Sequence, residues 1–404
     1  MEIEIIFLLV SAIITIGFFS NYFFRLTRIP DLLYLVLFGY VVSHVFHIIN
    51  PEIIWKFSPI FSAAALLIIL FDTGSRMDIY KLMEKSTNIV FITLGNFVLA
   101  LLTTFFLSHF IFGFDMLISF VLGSITAGTS STIAIPLSDL VRNEIRREIR
   151  TMVKLESILT DPLVIIVSLV LIEASLLSNI ATFEIIKGVI HMLSTSFVIG
   201  FLAGIVWGGV WHRFERYEYH YMLTVAFLFF LYVFAEIFGA NGAITCFTVG
   251  LVLGNIRKIR KMLRVKHALT GISTEIMKFN SYITFFVRTF FFFSIGVILE
   301  FGDIACVAFG VVITLFLFAS RCFIITVYSL LEKLPKRERI FMSLVAPRGL
   351  AAAVLAALLY QKYVLPHSEI IVQIIFTVII TSVIISTAGI AMVENKKKAS
   401  SREG

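Results

Sequence analysis

Two carboxylates and a proline interrupt a long apolar stretch near the middle of the chain. Glu156, Asp161 and Pro162 lie within LESILTDPLVII, the stretch from Leu155 to Ile166. An ionised carboxylate at the centre of a bilayer costs about 3 kcal/mol, so such a residue normally faces a cavity, an ion pathway or a counter-charge. These two acids are therefore the first candidates for chemistry.

The spacing of Glu156 and Asp161 predicts that the two acids face different neighbours and have different roles. In a helix, Asp161 would lie about 10 Å beyond Lys154, well inside the apolar region. Glu156 would point about 140° away from Asp161, towards other neighbours. Ser157, four residues before Asp161, would share its face. We expect Glu156 to form a structural ion pair, and Asp161 to hold an ion that moves.

Composition sets the class of protein that must position these acids. The 404 residues are 59% hydrophobic and 15% charged, and the mean hydropathy is +0.99. Such a chain is predicted to be an all-α polytopic membrane protein. Cys246, Cys306 and Cys322 lie in apolar runs without paired or metal-ligand spacing, so we expect no disulfide, resident metal or cofactor.

About thirteen apolar segments have a length suited to crossing a bilayer. We interpret the first as a retained span, because it has no basic leader and no small-residue cleavage site. The predicted spans lie near residues 3–23, 32–49, 59–74, 87–112, 115–138, 151–176, 185–211, 219–239, 242–254, 279–299, 304–331, 338–360 and 368–392.

Basic residues concentrate in alternate loops, and the opposite loops contain only Lys56, Lys187 and Lys362. This bias is typical of cytoplasmic loops, so we expect a multi-pass cell-membrane protein with its N-terminus outside and its C-terminus in the cytoplasm. The net charge of +7 is then explained by topology and lipid headgroups, without nucleic acid. Residues 1–393 are predicted to form the transmembrane domain and 394–404 a short basic cytoplasmic tail.

Thirteen spans can be divided into six, one and six, which gives two inverted six-helix repeats offset by seven spans. Counterpart spans should then carry matching polar breaks. The fifth span contains a Thr/Ser-rich centre around Thr129 and Ser130, and the twelfth contains Pro347, Arg348 and Gly349. We therefore expect both segments to open into two half-helices, so that helices 5 and 12 are unwound at their centres. The freed oxygens could bind a cation; hydroxyl-rich packing between helices is the alternative.

Arg288, Arg321 and Arg348 fall inside the tenth, eleventh and twelfth spans, where each needs a partner or a water-filled path. Arg348 and Arg288 could adjust the electrostatics of the ion site; a packing role at the helix break is equally open for Arg348. The candidate acidic partners are Glu156, Asp161 and Glu236.

The stretch LESILTDP resembles the Glu-Ser-x-x-Asn-Asp-Pro motif of cation/proton antiporters of the sodium/proton exchanger type. The likeness extends over nearly the whole chain, with motifs in the expected order and spans. The other matching stretches are FDTGSRMD from Phe71, GSITAGTSSTIAIP from Gly123, FGANGAITCFTVGLVLGN from Phe238, FVRTFFFFSIG from Phe286 and APRGLAAAV from Ala346.

The resemblance implies a prokaryotic monovalent cation:proton antiporter, with a mobile core bundle and a bundle that forms a homodimer. It implies that Asp161 binds a cation and a proton in turn, and that Glu156 pairs with Arg321. It also implies that helices 5 and 12 cross beside Asp161, with Thr129 and Ser130 near the ion.

Two positions depart from the family pattern. Thr160 stands where the motif has Asn, and Thr129, Ser130 and Ser131 stand where the fifth helix has Thr-Asp-Pro. The second departure resembles the potassium/proton branch, so K⁺ stays possible although Na⁺ is favoured.

Exchange is expected to be electroneutral, because Glu156 is committed to Arg321 and no second free carboxylate lies in the centre. A cation channel, or a sensor subunit with the same fold and no coupled exchange, is the alternative. We do not expect an enzyme, since Asp161 lacks the second aspartate that intramembrane proteolysis would need.

Overall fold

The computed structural model describes the chain except for residues 1, 28–29, 50, 78–85, 177–181, 215–216, 218–219, 264–273, 300–303, 361–366 and 401–404. Within the described residues the secondary structure is helical, and no strand is present. The predicted cytoplasmic tail falls on residues 394–404, of which 401–404 lie outside the described part.

The helices follow one another with short connections. In chain order they are α1 (Glu2–Thr27), α2 (Asp31–Tyr40), α3 (Pro51–Arg76), α4 (Ser86–Phe110), α5 (Met116–Thr126), α6 (Ser131–Leu140), α7 (Arg147–Leu176), α8 (Thr182–Phe214), α9 (His220–Ile237), α10 (Gly242–Leu263), α11 (Thr274–Ile298), α12 (Ile304–Glu332), α13 (Lys336–Leu344), α14 (Leu350–Leu358) and α15 (Ser368–Ser400). A π-helical turn, Val41–Val45, extends α2.

The chain is divided into two compact units. The first comprises Met1–Pro59, Ser86–Ile172 and Thr289–Gly404. The second comprises Ile60–Lys85 and Glu173–Arg288. Asp161 and both predicted helix breaks belong to the first unit, whereas Arg288 belongs to the second.

Eight helical segments of the described chain are long and apolar enough to cross a membrane, which agrees with a multi-pass protein. Some predicted spans are absent from this set because their apolar helices are shorter, as in Phe7–Ser20, Asp31–Val45 and Met222–Ile237. The predicted span at 338–360 is divided into α13 and α14, each nine residues long. The count of thirteen spans therefore remains a prediction.

The first unit is built around α4, α5, α7, α12 and α15. α4 packs along α5 and α12, while α13 and α14 pack on α15. One buried cluster joins Ile133, Leu137, Phe341, Met342 and Val383, which come from α6, α13 and α15. Lipid tails are as apolar as these side chains, so such contacts stabilise the unit mainly through close packing.

In the second unit, α10 is packed between α8 and α3 by small residues. Gly204 of α8 lies against the Val252 side chain, and Gly254 of α10 lies against the Ser75 carbonyl of α3. A Cβ at either glycine would overlap its neighbour. Glycine at these positions allows the helix backbones to approach closely, as is common in membrane bundles.

Candidate functional site

The first helix break separates α5, which ends at Thr126, from α6, which begins at Ser131. Gly128 lies inside the break and faces the Val164 side chain of α7, so a Cβ there would overlap Val164. The glycine therefore lets the non-helical segment lie directly on α7. The predicted interruption of this segment is present in the structure.

Thr160 of α7 replaces helical hydrogen bonds that the break removes. Its oxygen accepts the Thr129 amide at 3.2 Å, and its hydroxyl hydrogen is shared between the Thr129 carbonyl at 3.0 Å and the Ser157 carbonyl at 3.1 Å. Buried backbone groups need such partners, because an unsatisfied one costs as much as a lost hydrogen bond. Thr160, which replaces the Asn of the family motif, thus holds the break in place.

The Asp161 carboxylate lies at the first residue of α6. The Ser131 hydroxyl and the Ser131 amide both donate to Asp161 Oδ2, the amide at 3.4 Å. The N-terminus of a helix carries partial positive charge, which favours a carboxylate there. In the part of the chain that the structure describes, no basic side chain pairs with Asp161.

The second break separates α13, which ends at Leu344, from α14, which begins at Leu350. The two breaks touch, because the Ser130 amide donates to the Pro347 carbonyl at 2.8 Å. Gly349 lies against the Ser130 side chain, and a Cβ there would collide with it. Pro347 and Gly349 thus form the crossing of the two interrupted helices.

Two serines of α15 bind the backbone of the second break. Ser382 Oγ accepts the Arg348 amide at 2.9 Å, and Ser386 Oγ accepts the Ala346 amide at 3.3 Å. The two serines are four residues apart and share one face of the helix. They do for the second break what Thr160 does for the first.

The Arg348 guanidinium reaches across to the first break. Its Nη1 donates to the Gly128 carbonyl at 2.9 Å and to Thr129 Oγ1 at 3.3 Å. The side chain is only 2% exposed. Arg348 therefore binds one break to the other through a carbonyl and a hydroxyl.

Glu156 and Arg321 form a buried, two-pronged ion pair. Arg321 Nη1 and Nη2 lie 2.5 and 2.8 Å from the two Glu156 oxygens, and Arg321 Nε donates to the Met342 carbonyl at 2.7 Å. Asn96 Nδ2 donates to Glu156 Oε1 at 3.4 Å. The planar guanidinium suits this geometry, which lysine cannot reproduce. Both oxygens of Glu156 are engaged.

Not every predicted site residue touches Asp161. The Ser157 hydroxyl donates to the Lys154 carbonyl at 2.9 Å, and the Ser130 hydroxyl bonds with Thr132 Oγ1 at 2.9 Å. Thr129 faces Arg348 instead. Arg288 lies in α11 and is partly buried.

Sequence reasoning missed four residues of this region, namely Ser131, Asn96, Ser382 and Ser386 as partners of the carboxylates and breaks. Pairs of hydroxyls four residues apart recur in α15, as at Thr377 and Thr381, so spacing does not single out Ser382 and Ser386. Nothing in the spacing selects Ser131 over its neighbours.

Residues 8–395 match the family described as "Sodium/hydrogen exchanger, transmembrane". The chain belongs to the sodium/hydrogen exchanger family. A relative of the chain is the "Probable Na(+)/H(+) antiporter 2" of Methanocaldococcus jannaschii, which is 25% identical over 363 residues, covering 85% of this chain and 81% of that protein.

Two solved structures have the same fold as this exchanger-family chain. The sodium proton antiporter MjNhaP1 of Methanocaldococcus jannaschii, determined at pH 8, aligns with a TM-score of 0.77 at 20% identity over 97% of this chain and 98% of that one. An electron-microscopy structure of the same antiporter aligns with a TM-score of 0.73 at 20% identity over 98% of both chains. The exchanger-family chain is thus an all-helical, multi-pass membrane protein with an antiporter fold.

Proposed function

We propose that this protein is a secondary active antiporter that exchanges a monovalent cation for H⁺ at Asp161. Na⁺ is the favoured cation and K⁺ is possible. The observation that carries the proposal is the state of Asp161: its carboxylate lies beside two helix breaks and receives only the Ser131 donors among the described residues. The named Na⁺/H⁺ antiporters among the relatives support the same assignment.

The mechanism rests on competition for the carboxylate oxygens. A bare carboxylate is costly to carry through a low-dielectric interior, whereas one neutralised by H⁺ or by a cation is much less so. A proton and a partly dehydrated cation cannot occupy the same oxygens together, so loading one releases the other. The predicted further ligands, Ser157, Thr160, Thr129 and Ser130, have other hydrogen-bond partners in the structure, so they would supply oxygens to a cation only by leaving those partners.

One moving carboxylate predicts one-for-one, electroneutral exchange. Glu156 is held by Arg321 in a two-pronged pair, so its charge is already balanced by a fixed partner. Arg348 Nη1 donates to the Gly128 carbonyl and to Thr129 Oγ1 of the first break. Asp161 is then the group whose charge is cancelled by each ion in turn.

We also propose the thirteen-span plan with inverted repeats, an outside N-terminus, a cytoplasmic C-terminus and a homodimer. The hydrogen bonds between hydroxyl side chains and the two helix breaks support the inverted repeats. Thr160 in the sixth predicted span binds the break of the fifth, and Ser382 and Ser386 in the thirteenth bind the break of the twelfth. An offset of seven spans relates both pairs. The domain limits 1–393 and 394–404 belong to this plan.

Proteoliposomes that contain the purified protein and an internal pH dye test the function. We expect an inward Na⁺ or K⁺ gradient to drive H⁺ out at a rate that saturates with cation. A cation channel would instead give a flux that rises linearly with cation and does not depend on the proton gradient. A sensor subunit would give neither.

The same liposomes test the stoichiometry. We expect the exchange rate to be unchanged when the membrane potential is clamped at zero or at about −100 mV. Each elementary charge moved across 100 mV changes the free energy by about 2.3 kcal/mol, so unequal exchange would respond strongly. A current driven by the cation gradient at zero potential would contradict one-for-one exchange.

A further inference from the structure

Ser131 is the first residue of α6, and both of its donors point at one oxygen of Asp161. We propose that Ser131 is a cation-site residue, which donates its hydroxyl proton to Asp161 when the site is empty and turns its oxygen to the cation when one is bound. This inference rests on the proposed function, and adds to it a ligand that the sequence motif does not assign.

A serine hydroxyl is suited to this exchange of roles. It has one donor and two lone pairs, and its hydrogen rotates to suit the partner. An amide N–H can only donate, so the Ser131 amide keeps Asp161 oriented while the hydroxyl changes partners. A cation that binds Asp161 Oδ2 would meet the Ser131 oxygen at once, because the two atoms are already in contact.

The other hydroxyls near Asp161 are already engaged. Thr160 is bonded to the Thr129 backbone, Ser130 to Thr132, and Ser157 to the Lys154 carbonyl. Of the hydroxyls that the structure describes, the one on Ser131 makes the direct contact with the carboxylate. It is therefore the side chain that a cation at Asp161 must either displace or use.

The residue type at this position distinguishes the chain from the family pattern. Thr-Asp-Pro in the fifth helix places proline where this chain has Ser131, and proline has neither an amide donor nor a hydroxyl. Proline is well tolerated at the first position of a helix, so helix initiation does not explain a serine there. The contact of the Ser131 hydroxyl with Asp161 explains the serine at this position.

The test measures the apparent KM for Na⁺ and for K⁺, and the maximal exchange rate, from acid to alkaline pH in proteoliposomes. The variants are Ser131→Ala, Ser131→Thr and Ser131→Pro. A matched control is Ser138→Ala in the same helix, where the hydroxyl only donates to the Ala134 carbonyl. All are compared with the unaltered protein.

We expect Ser131→Ala and Ser131→Pro to raise KM about tenfold or more, the usual loss for a hydrogen bond or contact to a charged group. The rise should persist at alkaline pH, where protons no longer compete, and the maximal rate should change little. Ser131→Thr keeps the hydroxyl and should restore much of the affinity that Ser131→Ala loses, whereas Ser138→Ala should behave as the unaltered protein.

An unchanged KM for Ser131→Ala at alkaline pH would overturn the inference. So would a rise confined to acid pH, because it would mean that the hydroxyl serves only the carboxylate. If Ser131→Pro does not fold, Ser131→Ala decides the question alone. If the unaltered protein shows no exchange, the proposed function fails and this inference fails with it; if exchange is normal and Ser131→Ala is unaffected, only the inference fails.

Discussion

Asp161→Asn is expected to reduce cation-driven H⁺ movement to the rate of protein-free liposomes. Asparagine has nearly the same shape, and its amide oxygen can still accept the Ser131 donors. It can neither release a proton nor offer a negative charge to a cation. The measurement is the pH change inside proteoliposomes after a Na⁺ or K⁺ gradient is imposed.

Loss of activity counts only if the variant folds. Asp161→Asn should therefore show the helical circular dichroism and the thermal unfolding temperature of the unaltered protein. Ser138→Ala, prepared and reconstituted in parallel, should retain full exchange. Saturable, cation-driven exchange by a folded Asp161→Asn protein would show that the proton and the cation bind elsewhere.

Arg321→Ala is expected to destabilise the protein by about 3–5 kcal/mol, because it leaves the Glu156 carboxylate buried without its counter-charge. The Met342 carbonyl also loses its donor. Thermal unfolding of the purified protein in detergent should show a much lower transition temperature. Arg321→Lys should recover only part of the loss, since an ammonium cannot form the two-pronged contact.

A double variant separates the ion pair from packing. Replacing both partners with apolar residues, as in Glu156→Leu with Arg321→Met, should recover much of the stability lost by Arg321→Ala. Lys154→Ala provides the surface comparison: Lys154 pairs with Asp139, whose side chain is 53% exposed, so the carboxylate left behind stays solvated. Its loss should change the transition temperature far less. Equal effects of Lys154→Ala and Arg321→Ala would contradict the stabilising role given to the buried pair.

Composition and periodic apolar segments are enough to predict an all-helical membrane protein, because lipid leaves the backbone few alternatives to helix. The helix breaks were also readable. Pro347 and Gly349 mark one, and the polar run from Thr126 to Thr132 marks the other. Proline, glycine and hydroxyls are the residues that weaken or replace helical hydrogen bonds, so their place along the chain gives the place of the break.

The contacts inside the site were harder to predict for a geometric reason. Neighbouring residues at a helix start differ by about 100° in direction, so one position decides whether a side chain faces Asp161. The prediction placed Ser130 near the ion, whereas in the structure Ser131 contacts the carboxylate and Ser130 contacts Thr132.

The sequence also does not show which backbone group a polar side chain will bind, because every residue carries a carbonyl. Arg348 binds the Gly128 carbonyl, and any residue at that position would offer the same oxygen. For the same reason, Ser382 and Ser386 could not be matched in advance to the amides of the second break. The Glu156–Arg321 pair was expected from the resemblance to the exchanger motif, whereas the count of buried charges alone left Glu156, Asp161 and Glu236 open as partners of the arginines.

Competition at Asp161 is tested most directly by counting the protons released when Na⁺ or K⁺ is added to the purified protein in weakly buffered solution. Binding of a cation to a protonated ligand must release that proton. We predict one proton released per chain at a pH where the carboxyl is protonated, saturating with cation, and none from Asp161→Asn. Cation binding detected by calorimetry under the same conditions without proton release would contradict the account.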